Sequence, residues 1–253
     1  MAEITDSAAT VARVRAKEGS LPAGERLFDD PFADLFSGGA GADEISERYL
    51  RIPFFEESVR VRTRFIDEIV RARLAAGVKQ IVLVGAGFDC RALRMSEIAA
   101  AGARVFEIDL ASQMAAKREI LEHAKIAIPA RTHLVDCDFS ADALSALPEH
   151  LVAEGLVSGA PTCFIWEGVI GYLDKDEIAR SLAFMTDVGA KDSLLTLNYQ
   201  TFQRSSDFYR TLVEAAGFVR FEEKGSDELY QQWLGREPPP GGESFRLATA
   251  WID

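Results

Sequence analysis

Two glycines and an aspartate set the first chemical constraint in this chain. Gly85-Ala86-Gly87-Phe88-Asp89-Cys90-Arg91 follows an apolar run and opens into a helical pattern, and Asp109 closes the run FEID (106–109). Glycines in such a place let the chain turn sharply and bring main-chain N–H groups at a helix start against a ligand. A carboxylate about 20 residues later can accept hydrogen bonds from both hydroxyls of a ribose. The third glycine of the dinucleotide pattern would fall where Cys90 stands. Close packing around a pyrophosphate is therefore not supported, and the spacing points to a nucleoside without phosphates. Glu107 in the same run reads as an ordinary strand residue.

Other polar residues fall at neighbouring strand ends. In VDCDF (135–139), Asp136 is placed to accept from an adenine amino group and Cys137 to offer its amide to the same base edge. The competing reading is a helix N-cap run ahead of ADAL, because Asp caps helices well. Glu167 opens the turn in WEGVIGYL (166–173), where a buried carboxylate needs a cationic or hydrogen-bonding partner. A sulfonium with a nearby amino group is one such partner. SVRVRTRFID (58–67) places Arg60, Arg62 and Arg64 on one helical stretch. Such arginines commonly make surface ion pairs of small net worth, whereas an inward Arg62 would bind a carboxylate bidentately. Tyr172 and Tyr199 are candidate substrate contacts at the ends of the fourth and fifth strands.

These residues need a scaffold that brings strand ends together. Candidate strands are QIVLV (80–84), RVFEI (104–108), RTHLV (131–135), TCFIW (162–166), SLLTLNY (193–199), FVRFEEK (218–224) and FRLATAWI (245–252). The first and fourth are apolar after their first residue and the fifth is mainly apolar, as expected for parallel strands covered on both faces. Helical spacing fills 91–100, 112–124, 141–153, 174–188 and 205–216, with cap signals at Ser140, Asp174 and Gly217. The rhythm predicts an α/β, doubly wound sheet with right-handed crossovers. The link between the last two strands is too polar for a crossover helix and carries PPPGG (238–242), so the last strand is expected to be antiparallel. Residues 1–55, with Pro22, Pro31 and a glycine-rich tip at 38–41, break the rhythm and precede a long helical pattern over 56–76. The expected organisation is one domain over 1–253, with an N-terminal cap (1–55) covering the cleft of an α/β core (56–253).

Composition narrows the function class. The 253 residues carry a formal charge of −12, which repels a polyphosphate backbone and argues against nucleic-acid binding. No apolar run reaches the length of a membrane span and the start lacks a signal-peptide core, so a cytoplasmic protein without membrane contacts is expected. The cysteines Cys90, Cys137 and Cys163 are odd in number and widely spaced, which predicts reduced thiols and no metal site.

VRTRFID (61–67), QIVLVGAGFDCRALR (80–94), FEIDLASQMAAKREIL (106–121), VDCDF and PTCFIWEGVIGYL (161–173) together resemble the leucine carboxyl methyltransferase family. This is a branch of the class I S-adenosylmethionine-dependent methyltransferases that includes bacterial polyketide O-methyltransferases. The resemblance runs from about residue 20 to about residue 200, and the last 50 residues match only in general character. It implies a Rossmann-like, seven-stranded class I sheet with an antiparallel last strand and a helical N-terminal cap. It also implies that Arg62, with Arg60 as competitor, binds the methionine carboxylate. Gly85, Ala86 and Gly87 would line the cofactor, and Asp109 with Leu110 would hold the ribose. Asp136 and Cys137 would read the adenine, and Glu167 would sit beside the methionine moiety. The cofactor is then S-adenosylmethionine, leaving as S-adenosylhomocysteine.

Methyl transfer from a sulfonium demands alignment rather than a covalent nucleophile. None of His123, His133 and His150 follows the fourth or fifth strand, so no histidine base is expected. The acceptor is then a small molecule bearing a carboxylate or an acidic enol or phenol, ionised without help. A monomer or homodimer is expected. The alternatives are a nicotinamide-dependent oxidoreductase and a silent cofactor-binding protein. Against the first stand the missing third glycine and the lack of a YxxxK pair.

Overall fold

The computed structural model describes residues 2–38 and 44–253. All the predicted strands form, as β1 (Gln80–Val84), β2 (Arg104–Asp109), β3 (Thr132–Asp136), β4 (Cys163–Trp166), β5 (Leu194–Gln200), β6 (Val219–Gly225) and β7 (Phe245–Trp251). They make a seven-stranded sheet in the order β3-β2-β1-β4-β5-β7-β6. The strands β1 to β5 run parallel, and β7 lies antiparallel between β5 and β6. The strand order reverses between β1 and β4, both wholly buried, and an open α/β sheet binds ligands at the carboxyl side of such a point.

Period-2 alternation divides the core into two layers. Val82, Val84, Phe106 and Ile108 face α7 (Ala141–Ala153), α8 (Lys175–Val188) and α9 (Ser206–Ala215) through Leu144, Leu151, Ile178, Met185 and Val213. Ile81, Leu83, Val105 and Ile165 face α3 (Phe55–Ala75) through Ile66 and Val70. The predicted caps act as such. Ser140 Oγ accepts from Ala143 N–H, and Asp174 forms a reciprocal capping box with Glu177, each worth about 1 kcal/mol.

Some elements depart from the sequence reading. The helical stretch at 91–100 is broken at extended Met95 into α4 (Arg91–Arg94) and α5 (Ser96–Ala101), leaving Arg91 and Arg94 on a single turn behind the glycines. α6 (Ala111–His123) follows β2 as expected. The β6–β7 link, read as too polar for a crossover helix, contains α10 (Ser226–Leu234). Its polarity lies on one face, and Leu229 and Tyr230 on the other pack against Phe54, Val61, Phe245 and Leu247. The N-terminal segment is helical in α1 (Ala2–Glu18), in a short turn at Ala33–Phe36 and in α2 (Glu44–Leu50). The glycine-rich tip lies outside the described residues from 39 onward. Among the described residues, no helix is long and apolar enough to cross a membrane.

Candidate active site

A cavity of about 340 Å³ runs along the carboxyl ends of the strands, within the size range of small-ligand sites. Asp138 and Phe139 after β3, Asp109 at the end of β2 with Leu110 after it, and Gly85 to Asp89 after β1 line one half. Glu167 and Gly168 after β4 lie at the middle, and Asn198, Gln200 and Phe245 of β5 and β7 line the far half. Ser7, Ala8, Val11 and Arg15 of α1, Tyr49 of α2, and Phe55 and Arg62 of α3 close it from above the sheet.

The glycine turn is fixed by backbone shape. Gly85 has φ 72°, in the left-handed region, and a Cβ there would clash with the Val169 side chain. The turn is held against β2 by Asp109, which accepts from Gly87 N–H through Oδ2 and from Leu110 N–H through Oδ1, both at 2.7 Å. Burial pushes the Asp109 carboxyl above its ordinary value, with the two N–H groups pulling the other way. Glu107 points into the protein and pairs with buried Lys117, whose Nζ also donates to the Asp89 carbonyl at 2.6 Å. It is a strand residue with a structural partner.

Beside the turn lies a buried network of guanidiniums and carboxylates. Arg62 Nε donates to Glu167 Oε1 and Arg91 Nη1 to Glu167 Oε2, each at 2.8 Å. Arg91 also donates through Nε to Asp67 at 2.8 Å and through Nη1 to Asp89. Arg94 holds both Asp67 oxygens at 2.7 Å. Arg15 extends the network to the cap, with Nε 3.1 Å from Asp30 Oδ2 and Nη2 donating to the Phe88 carbonyl. Burial alone would raise the Glu167 carboxyl, but Arg91, Arg62 and Arg15 outweigh it and hold it well below the ordinary range. Asp67 is likewise lowered against its burial by Arg91 and Arg94.

Arg62 and Arg60 separate cleanly. Arg62 lines the cavity, and among the described residues its Nη groups meet no acceptor. Arg60 turns away, to Glu18 Oε2 at 2.5 Å and the Glu25 carbonyl at 2.8 Å, and Arg64 pairs with Glu68 at 2.9 Å.

Three of the residues singled out from sequence lie off the cavity wall. Asp136 and Cys137 do not line the cavity. Register puts Asp136 level with Asp109 in the sheet with its side chain exposed near Arg118, and the Cys137 N–H is committed to the Asp109 carbonyl at 2.8 Å. The chain reaches the cavity two residues later, at Asp138 and at Phe139, whose φ of 59° is a strained value for an aromatic residue. Tyr199 also faces away. It is 1% exposed, packs at a tilt against Tyr209 and donates to Glu223, because alternation along β5 gives the cavity Asn198 and Gln200 instead. Tyr172 does line the cavity, and its hydroxyl is hydrogen-bonded to that of Tyr49.

Arg91, Arg15, Asn198 and Gln113 were not singled out from sequence. Arg91 carried a signal, standing directly behind the glycine run. Gln113 is 1% exposed on α6 at the cavity wall, and neither of its amide atoms meets a partner among the described residues. None of the three histidines lines the cavity; His133 stacks on Phe106 and pairs with Glu154 at 3.0 Å. Burial pushes the Cys90 and Cys163 thiols up to about 12, so neither is a thiolate nucleophile at neutral pH. Among the described residues, no cluster of three or more His, Cys, Asp or Glu side chains could hold a metal ion.

The fold is similar to that of solved methyltransferases. A structure of a provisionally named methyltransferase from Thermobifida fusca superposes with a TM-score of 0.60 at 17% identity, covering 87% of this chain and 92% of that one. Magnesium protoporphyrin IX methyltransferase from Synechocystis, crystallised with S-adenosylmethionine, superposes at 0.50 with 15% identity over 90% and 95% of the two chains. At these identities the likeness concerns the fold, that of the class I methyltransferases. In sequence, a Frankia alni protein provisionally named an S-adenosyl-L-methionine-dependent methyltransferase is 33% identical over 91% of this chain and 81% of its own length. A Mycobacterium tuberculosis protein with the same provisional name is 31% identical over 88% and 76%. The sequence model described as leucine carboxyl methyltransferase matches residues 8–186. With a match over most of its length and relatives at this identity, the chain belongs to the leucine carboxyl methyltransferase family.

Proposed function

We propose that this methyltransferase uses S-adenosylmethionine to methylate an oxygen of a small molecule, a carboxylate or an acidic enol or phenol such as a polyketide carries. The observation that carries the reading is the separation of charges along the cleft. Arg62 with two open Nη groups and ionised Glu167 stand at the end of β4, and Asp109 stands beyond the glycine turn at the end of β2. This set fits a zwitterion joined to a nucleoside: Arg62 for a carboxylate, Glu167 for an ammonium and a nearby sulfonium, and Asp109 for ribose hydroxyls. A pyrophosphate fits poorly, because Arg15 and Arg62 are the only cationic side chains on the cavity wall among the described residues, and Arg15 is already held by Asp30.

Asp138 and Phe139, rather than Asp136 and Cys137, take the adenine end in this reading. Gly85, Ala86, Gly87 and Leu110 supply the floor between them. When bound, S-adenosylmethionine supplies a methyl group on a sulfonium that departs as a neutral thioether. The protein's own part is to align the acceptor and keep water out, and alignment of this kind supplies on the order of 7–11 kcal/mol. The cap, residues 1–55, serves as the cover: Ala8, Val11 and Tyr49 close the cleft, and Arg15 ties it to the glycine turn.

Incubation with methyl-labelled S-adenosylmethionine and a panel of acceptors tests the reading. Label is expected on carboxylates or acidic conjugated hydroxyls; label confined to weakly acidic aliphatic alcohols contradicts it.

A further inference from the structure

The order of the strands divides the cavity before any ligand is considered. The charged groups assigned above stand over β2, β1 and β4, and the adenine end over β3. What remains is the part over β5 and β7, walled by Asn198, Gln200, Phe202, Gln203 and Phe245. It is rich in aromatic surface and among its described residues holds no lysine, arginine or histidine.

Within that half, Asn198 is 5% exposed and belongs to the residue pair that joins the two halves. Its Oδ1 accepts from Gly168 N–H at 2.7 Å, immediately after Glu167. An amide presents oxygen and nitrogen on opposite edges, and an Asn orientation is decided by such a bond. With Oδ1 committed to Gly168, Nδ2 points the other way, and no described residue accepts from it. Asn198 lies on the cavity wall, so an acceptor for this open Nδ2 can come from a ligand in the cleft.

We propose that Asn198 is a specificity-determining residue that grips the acceptor's oxygen through Nδ2, and that it selects an oxygen already ionised. The inference rests on the methyl-transfer reading above. Asn198 donates and cannot remove a proton, so a neutral aliphatic hydroxyl arriving here keeps its proton, whereas a phenolate, enolate or carboxylate accepts the bond directly. The surrounding Phe202 and Phe245 favour a planar, conjugated carrier for that oxyanion.

The test uses the full chain saturated with sinefungin, a stable S-adenosylmethionine analogue with a protonated amine in place of the sulfonium. 4-Nitrophenol is the probe, because its visible absorption reports ionisation. The wild-type complex is expected to shift bound nitrophenol toward the phenolate. Asn198→Asp keeps an oxygen for Gly168 N–H but replaces the donor with an anion. It should bind nitrophenolate at least about tenfold more weakly, with sinefungin affinity by calorimetry within about threefold of wild type. Asn198→Ala, lacking both functions, should weaken both ligands. Equal nitrophenolate binding by wild type and Asn198→Asp overturns the assignment. So does a wild-type complex that leaves the probe's ionisation unchanged, or an Asn198→Asp variant that loses sinefungin as severely as the probe. Failure of the wild-type chain to bind sinefungin at all would instead sink the methyl-transfer reading.

Discussion

Arg91 Nη1 meets Glu167 Oε2 at 2.8 Å, tying the turn after β1 to the turn after β4 across the point where the strand order reverses. Arg62 takes the other oxygen from the helix above. Glu167 thereby stays ionised in a place where burial alone would neutralise it, and the cleft keeps a negative charge for a cationic ligand.

Arg91→Met should unfold earlier than wild type. Removing one partner of a buried, hydrogen-bonded ion pair costs about 3–5 kcal/mol, which in a chain of this size lowers Tm by about 6–20 °C. The sign with pH follows from Glu167, whose folded-state value lies below that of the unfolded chain. Its stabilisation is therefore full above the ordinary carboxyl value, about pH 4.3, and is lost as pH falls through the lowered one. In Arg91→Met that loss should move to higher pH, which thermal unfolding across acidic pH measures.

Asp109 behaves in the opposite sense. Its folded value is raised, so it costs stability when ionised and that cost is relieved as pH falls through the raised value. The ionised form is the one suited to two ribose hydroxyls, so S-adenosylhomocysteine affinity should drop in the window just above the ordinary Asp value, about pH 3.9. Calorimetry across that window should show the drop in wild type and its absence in Asp109→Asn. At neutral pH, Asp109→Ala should weaken binding by about tenfold or more, and Arg62→Ala by more still, each losing bonds to a charged group.

The adenine end can be located by comparing two aspartates. Asp138→Ala should weaken S-adenosylhomocysteine by up to about tenfold, the worth of one hydrogen bond. Asp136→Ala, outside the cavity, should leave it unchanged. The reverse result restores the role to Asp136 and Cys137.

Replacing His123, His133 and His150 together by glutamine should leave methyl transfer intact, because none of them reaches the cleft. The rate should instead follow the acceptor's own ionisation, seen by comparing pH profiles for acceptors of different acidity.

The sheet was legible because its strands announce themselves locally: wholly buried β1, from Ile81 on, and β4 are apolar runs, and the glycines mark the turn between β1 and α4. Gly85, Asp109, Arg62 and Glu167, read from spacing to strand ends, a quantity the sequence states directly, all line the cavity. Tyr199 lies off the cavity because alternation along β5 gives that side to Asn198 and Gln200. Asp136 lies level with Asp109 but on the edge strand β3, where its side chain is exposed near Arg118. α10 was missed because its net polarity hid a one-sided apolar stripe whose partners include Phe54 and Val61, far away in the chain. Arg91 was passed over because its worth depends on Asp67, Asp89 and Glu167 converging from separate elements.

A calorimetric titration of the purified chain with S-adenosylhomocysteine and, separately, with NAD bears most directly on the cleft. One molecule of S-adenosylhomocysteine should bind per chain, weakened by Asp109→Ala and Arg62→Ala, with no heat from NAD. Saturable NAD binding in place of S-adenosylhomocysteine, or S-adenosylhomocysteine binding indifferent to both substitutions, would contradict a phosphate-free adenosyl ligand held by these residues.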